Sequence, residues 1–185
     1  TMIEVEVKAR VKGFDEIKQA LKKKEAKFLG KKRQSDRIFA IPEQLDEQNM
    51  MIKGGILGRI REEDGKKELE FKETDRKTGS AAELKFKIDD LAPVERILKK
   101  LGFVESRLGA MKTREEYSYK GFNICLDEVE RLGTFVEVEK IVEKEADKEK
   151  DYQECIDFLK ELTPDFEIEE RKYGDMLQEL VNERG

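Results

Sequence analysis

The order of apolar and charged positions predicts amphipathic strands and helices. From Ile3 to Val11 the odd positions are apolar and the even positions are charged, and a period of two is typical of a strand with one buried face. From Ile17 to Phe28 apolar residues recur at helical spacing, with Asp15 near the start and Gly30 after the end. This pattern predicts a helix of about three to four turns whose apolar stripe packs on a sheet.

Further strands and helices follow along the chain. Residues 33–41 have strand character and end at Pro42, and a long connection from 42 to 58 comes next. Residues 58–73 predict a hairpin around a turn at 63–66. The remaining expected elements are strands at 82–88, 103–108, 112–117, 122–127 and 134–141, and helices around 94–101, 152–162 and 176–181.

An internal repeat is visible in this order of elements. The succession of strand, acidic residue, helix and glycine in residues 3–30 returns in residues 82–102, at an offset of roughly 79 positions. The chain also contains no segment with the composition of a linker. We therefore expect a single domain covering residues 1–185, with two similar halves of about 1–80 and 81–185.

Composition narrows the possible chemistry. Charged residues make up 44% of the chain and the formal net charge is -5, which disfavours nucleic acid and membranes as partners. Histidine is absent, so histidine-based triads and imidazole ligands are excluded. The sequence shows neither a bilayer-spanning apolar run nor a signal peptide, which predicts a cytoplasmic protein. Cys125 and Cys155 lack metal or disulfide spacing and are expected in the core.

Same-sign charges at alternate strand positions allow two interpretations. Side chains such as Glu4 and Glu6, or Arg59 and Arg61, lie about 6–7 Å apart on one strand face. A sheet with helices on one face and water on the other accounts for such a pattern. If the charged faces point into a closed sheet instead, metal ions and a polyphosphate would neutralise both signs. Oxygen ligands without histidine favour Mg²⁺ or Mn²⁺ over zinc.

Short motifs of charged and apolar residues are spread over nearly the whole chain, namely Glu4-x-Glu6-x-Lys8, Asp36 with Phe39, Arg59-x-Arg61, Glu70-x-Lys72, Lys112-x-Arg114 with Tyr117, and residues 126–139. In this order they resemble the CYTH superfamily of triphosphate tunnel enzymes, which includes class IV adenylyl cyclases and thiamine triphosphatases. The resemblance implies an α+β fold, in which a closed antiparallel eight-stranded β tunnel has a charged interior and helices packed outside.

The resemblance also implies a division of roles among the charged residues. Mg²⁺ or Mn²⁺ is expected at acids, namely Glu4, Glu6, Glu83, Asp127, Glu137 and Glu139. The phosphates of the substrate are expected at bases, namely Lys8, Arg59, Arg61, Lys72, Lys85, Lys112 and Arg114. Four of these bases, Lys8, Arg59, Arg61 and Lys72, are the expected catalytic residues.

The resemblance has departures that bear on activity. Family members often carry Arg two positions before Glu83 and an acid two positions after it, whereas this chain has Ala81 and Lys85. Lys85 is a candidate replacement for the missing Arg. Because of these departures, one alternative is that the protein binds a nucleotide or polyphosphate without catalysing a reaction.

The expected function is that of a divalent-metal-dependent enzyme acting on a triphosphate. A class IV adenylyl cyclase-like reaction, from ATP to cyclic AMP and pyrophosphate, is placed first. The alternative reaction is hydrolysis of thiamine triphosphate or inorganic tripolyphosphate. Both reactions depend on positioning and on electrostatic stabilisation of the phosphates. The expected partner is thus a small triphosphate, with no nucleic acid and no membrane, and a homodimer stays open.

Overall fold

A computed structural model describes residues 2–48, 50, 52, 55–74, 81–106, 109–143 and 147–183, with the side chains of 2, 3, 72–74, 81–83 and 106 outside the description. Four α-helices are present in these ranges: α1 (Asp15–Lys23), α2 (Leu91–Lys100), α3 (Lys148–Leu162) and α4 (Tyr173–Asn182). The strands are β1 (Met2–Val11), β2 (Lys27–Ala40), β3 (Ile56–Glu63), β4 (Lys66–Thr74), β5 (Ala81–Ile88), β6 (Val104–Ser106), β7 (Met111–Tyr119), β8 (Phe122–Val129), β9 (Gly133–Glu143) and β10 (Glu167–Ile168). A 3₁₀ turn occupies Pro42–Gln44.

The strands form one antiparallel sheet. Their hydrogen-bonded order is β10-β1-β9-β8-β7-β2-β3-β4-β5, and β6 pairs with β2 outside this path. The predicted α+β class is confirmed. The predicted closed, eight-stranded tunnel is not confirmed, because the described strands number ten and their order has two ends, at β10 and β5.

One compact unit comprises Thr1–Lys32 and Lys112–Arg171. Its core forms where the apolar face of β1, including Val7 and Ala9, meets α1 and α3. Ile17 of α1 and Leu159 of α3 are fully buried there. Burial of these apolar residues sets which face of β1 is covered, so the even-numbered charged residues of β1 lie on the opposite face.

The second unit comprises Arg33–Met111 and Lys172–Gly185. Its core contains Phe39 of β2, Ile60 of β3, Leu98 of α2 and Phe103. The pairing of Ile60 with Arg37 and of Arg61 with Asp36 follows from the register of β2 and β3. This register places Asp36 and Arg61 on the face opposite Ile60.

The boundary between α1 and β2 differs from the sequence-based prediction. The predicted helix included Phe28, but α1 ends at Lys23 and β2 begins at Lys27. Glu25 has a φ of 58°, a left-handed conformation that interrupts a right-handed helix. The Phe28 ring lies 5.1 Å from the ring of Tyr117 on β7, so a contact between strands takes the place of the expected helical packing.

The repeated order of strand and helix is present as β1-α1 and β5-α2. The two compact units do not coincide with the expected halves, because each unit combines segments from both parts of the chain. The single-domain organisation stays a prediction. Among the described residues, no helix combines the length and the apolar character that crossing a membrane requires.

Candidate functional site

Three carboxylates meet on the polar face of β1 and β9. The register pairs Glu6 with Glu139 and Lys8 with Glu137. One carboxylate oxygen from each of Glu4, Glu6 and Glu139 lies within 4.8 Å of the other two. We call Glu4, Glu6 and Glu139 the acid cluster. It unites three of the six acids at which the family resemblance predicts metal.

The acid cluster is electrostatically unfavourable without a cation. Partial removal of water, followed by the charges of Glu4 and Glu137, raises the pKa of Glu139 to about 8. Removal of water and the charges of Glu137 and Glu4 likewise raise the pKa of Glu6, against the opposing charge of Lys8. Three converging carboxylates fit the oxygen chemistry that Mg²⁺ and Mn²⁺ prefer, so these residues suit the metal that the resemblance implies.

The raised pKa of Glu139 predicts that metal-free protein loses stability as the pH rises from about 4.5 to about 8. In this window the folded carboxyl keeps a proton that the unfolded chain releases, so raising the pH favours unfolding. Urea unfolding in EDTA at several pH values measures how the free energy of unfolding changes with pH, which is the slope in question. Glu139→Gln should remove part of it, and an identical slope in wild type and variant would contradict the prediction.

A buried ion-pair network lies on β7, β8 and β9 beside the acid cluster. Asp127 accepts hydrogen bonds from Lys112 Nζ at 2.8 Å and from Arg114 Nε and Nη2 at 2.7 and 2.6 Å. Arg114 also donates to Glu137. Asp127 is completely buried, and Lys112 and Glu137 are each 7% exposed. These four residues therefore hold one another in place.

Burial and charge act in opposite directions within this network. Burial lowers the pKa of Lys112, and the charge of Asp127 opposes that change. For Asp127, burial favours the protonated form, but hydrogen bonds from Arg114 and the charge of Lys112 outweigh it and lower its pKa. Asp127 is thus an ionised partner of two bases. Its predicted role as a metal ligand stays a prediction, because its described contacts are with Lys112 and Arg114.

An arginine pair, Arg59 and Arg61, lies on the polar face of β3. Arg61 donates to Asp36 through Nε and Nη2, each at 2.7 Å. Arg59 Nη2 donates to Glu70 at 2.7 Å, and Arg59 Nη1 lies 3.6 Å from Asp36. Arg59 Nε is buried and has no hydrogen-bond partner among the described residues. An unpartnered buried donor is costly, and a phosphate oxygen would satisfy it.

Further predicted phosphate ligands have different surroundings. Lys85 Nζ lies 3.6 Å from Glu70. Lys8 Nζ donates to the carbonyl oxygen of Arg171 at 2.5 Å, in the segment that follows β10. Lys72 and Glu83 are paired in the register of β4 and β5, but their side chains lie outside the described residues.

Two residues near these charges have positions that the sequence alone does not predict. Glu70 is 7% exposed and anchors Arg59, whereas the sequence places it only in a strand motif. Glu70 lies two residues before Lys72 on a strand, and residues two apart share one face of a sheet. This spacing is the sequence signal that places Glu70 on the same face as Lys72. Ile168 of β10 pairs with Ala9, and a strand of two residues leaves no periodic signal in a sequence.

The predicted burial of both cysteines is confirmed, but their surroundings differ. Cys155 belongs to the apolar core. Cys125 pairs with Glu137 in the register of β8 and β9, so it lies on the polar face. Burial raises the pKa of the Cys125 thiol.

Comparisons with known proteins assign the chain to a family. A family model described as the CYTH domain matches residues 2–173. A Methanocaldococcus jannaschii protein named "Putative adenylate cyclase" is 34% identical over 164 residues, which cover 87% of this chain and 90% of the relative. The chain belongs to the CYTH domain family.

Solved structures agree in fold. A Pyrococcus horikoshii protein has a TM-score of 0.72 at 30% identity, covering 98% of this chain and 100% of the other. A Hippeastrum protein has a TM-score of 0.64 at 18% identity, with 96% of each chain covered. The second likeness is one of fold alone.

Proposed function

We propose that the protein is a divalent-metal-dependent enzyme that acts on a triphosphate, with an adenylyl cyclase-like reaction placed first. The observation that carries this proposal is the convergence of Glu4, Glu6 and Glu139 within 4.8 Å. Three carboxylates at this separation suit a hard divalent cation, which usually also binds substrate phosphates. The name of the 34% identical relative supports the cyclase reaction.

The proposed roles follow from the contacts. The acid cluster would hold Mg²⁺ or Mn²⁺, which neutralises phosphate charge when bound. Arg59 would donate its unpartnered Nε to a phosphate oxygen, while Glu70 fixes its guanidinium. Phosphate binding is also proposed for five other bases, namely Lys8, Arg61, Lys85, Lys112 and Arg114. The proposal also keeps Lys72 as a base that binds phosphate and Glu83 as an acid that binds metal.

Two reactions are compatible with these roles. In the cyclase reaction, the ribose 3′ hydroxyl of ATP attacks the α-phosphorus and pyrophosphate leaves. In the hydrolase reaction, water attacks the terminal phosphorus and orthophosphate leaves. The hydrolase reaction is the second candidate because the Hippeastrum protein, a "putative adenylyl cyclase", is described as having a dominant triphosphatase activity.

Product analysis tests the proposal. We expect purified protein with Mg²⁺ or Mn²⁺ to convert ATP to cyclic AMP and pyrophosphate, and EDTA to abolish turnover. Orthophosphate from ATP, thiamine triphosphate or tripolyphosphate would establish the hydrolase reaction instead. Tight binding without turnover of any triphosphate would show a binding protein, the alternative raised by Ala81 and Lys85.

Glu139→Gln provides the matched variant for this experiment. Removing one carboxylate from the acid cluster should raise the Mg²⁺ concentration needed for half-maximal turnover by at least about tenfold. Glu128→Gln is a suitable control, since Glu128 is exposed and its side chain alternates to the other face from Asp127. Equal metal dependence of wild type and Glu139→Gln would refute the assignment of the acid cluster.

A further inference from the structure

The Cys125 thiol lies among carboxylates and away from the apolar core. Cys125 is only 4% exposed, and its strand partner on β9 is Glu137. Its Sγ and one oxygen from each of Glu137 and Glu139 all lie within 4.8 Å of one another. Within the described part of the chain, no hydrogen bond engages this thiol. A buried thiol is therefore directed at two carboxylates, and it makes no hydrogen bond among the described residues. The guanidinium of Arg114, which binds Glu137, is the cation whose charge also reaches the thiol.

The other cysteine shows what a packing role looks like in this chain. Cys155 of α3 is fully buried in the apolar core, and its Sγ lies 3.9 Å from the carbonyl oxygen of Val5. Apolar packing accounts for Cys155, as it does for most buried cysteines. It does not account for Cys125, whose neighbours on the strand face are ionisable.

The two carboxylates beside Cys125 retain capacity for a ligand. Arg114 donates to Oε2 of Glu137, so among the described hydrogen bonds the other oxygen of Glu137 is available. Glu139 belongs to the acid cluster and is only partly exposed. One sulfur and two carboxylate oxygens can supply three ligands and leave a fourth position open, an arrangement that zinc adopts in proteins.

The sulfur ligand gives this set a different metal preference from that of the acid cluster. Mg²⁺ takes oxygen ligands, whereas thiolate ligands select thiophilic ions such as Zn²⁺. We propose that Cys125, Glu137 and Glu139 form a second site, which binds a thiophilic divalent cation such as Zn²⁺ or Cd²⁺. On binding, a sulfur–metal bond forms and the thiol proton leaves to solvent.

Glu139 is common to both sets of ligands. A cation at Cys125 should therefore compete with Mg²⁺ or Mn²⁺ at the acid cluster, and thiophilic metals should inhibit turnover. This competition rests on the proposed function. The binding of the thiophilic cation does not, and it can be measured in the absence of any substrate.

Titration with Cd²⁺ tests the site, because a cadmium–thiolate bond produces a charge-transfer absorption in the ultraviolet. We expect this absorption to saturate at one Cd²⁺ per chain in the wild type and to decline when Zn²⁺ is added. Cys155→Ser should keep it. Cys125→Ser should lose it, with Cd²⁺ affinity reduced at least about 100-fold.

Several results would overturn the proposal. Wild-type protein without thiolate absorption at saturating Cd²⁺ would do so, and this measurement depends on no variant. An absorption that survives in Cys125→Ser or disappears in Cys155→Ser would do so as well. Glu137→Gln separates the carboxylates from the thiol, since unchanged Cd²⁺ affinity in that variant would exclude the three-ligand site. A protein without turnover that still shows the Cys125-dependent absorption would refute only the proposed function.

Discussion

Replacing Asp127 with Asn is expected to lower the free energy of unfolding by about 3–5 kcal/mol, the usual cost of breaking a buried ion pair from one side. Asp127 is fully buried and accepts hydrogen bonds from Lys112 and Arg114. The variant keeps the shape of the side chain but removes its charge. Buried Lys112 and partly buried Arg114 are then left with Glu137 as their principal counter-ion.

Urea unfolding of wild type, Asp127→Asn and Asp157→Asn measures this effect. Asp157 of α3 has a side chain that is 58% exposed and pairs with Lys160 one turn away. The same substitution there should cost less than about 1 kcal/mol, because exposed ion pairs contribute little. Equal losses in the two variants would show that the buried network does not stabilise the fold in the way its contacts indicate.

The same measurement separates the two roles considered for Asp127. If Asp127 stabilises the protein by holding Lys112 and Arg114, the loss appears in EDTA and changes little on addition of Mg²⁺. If Asp127 acts mainly as a metal ligand, the loss appears only when Mg²⁺ is present, because binding to the folded state is what stabilises it. The hydrogen bonds at 2.6–2.8 Å to three nitrogen atoms favour the first result.

The strand faces could be predicted from the sequence, because alternation along β1, β3 and β9 requires no knowledge of neighbouring strands. Valines between Glu4, Glu6 and Lys8 place those charges on one face before any pairing is known. The acid cluster depends in addition on the register that brings Glu6 opposite Glu139. Family resemblance supplied that grouping, since a single sequence does not state its register.

The sequence alone does not predict which charged residues form ion pairs with one another. The family motif groups Asp127 with the metal-binding acids, yet the pairing of β7 with β8 places it opposite Arg114. The residue type of Cys125 predicts burial, which is correct, but the face that it occupies depends on the pairing of β8 with β9. The helical spacing of Phe28 from Leu21 predicts that Phe28 lies in a helix. Local backbone geometry at Glu25 overrides that spacing.

Replacing Arg59 with Met is expected to reduce kcat/KM for the triphosphate by about 10²–10³, the usual cost of losing one donor to a developing phosphate charge. Arg59 Nη2 is held by Glu70, and its buried Nε has no partner among the described residues. The protein thus maintains an oriented guanidinium with one donor unsatisfied. That arrangement is costly unless an anion completes it.

Arg59→Lys tests whether geometry or charge carries the effect. Lysine keeps the positive charge but lacks the planar set of donors, so we expect kcat/KM to remain well below that of the wild type. The KM should rise as well, because the same donors bind the ground-state phosphates. Recovery of full activity in Arg59→Lys would show that a simple positive charge is sufficient and that Nε is not a phosphate donor.

Arg37→Met is the matched control for loss of an arginine in the same unit. Arg37 of β2 also binds two carboxylates, Glu95 and Glu105, but it pairs with Ile60 rather than with a residue of the charged face. Its loss should reduce stability while leaving kcat/KM largely unchanged. If Arg37→Met and Arg59→Met lower kcat/KM equally, the loss reflects damage to the second unit, and the proposed phosphate contact of Arg59 has no support.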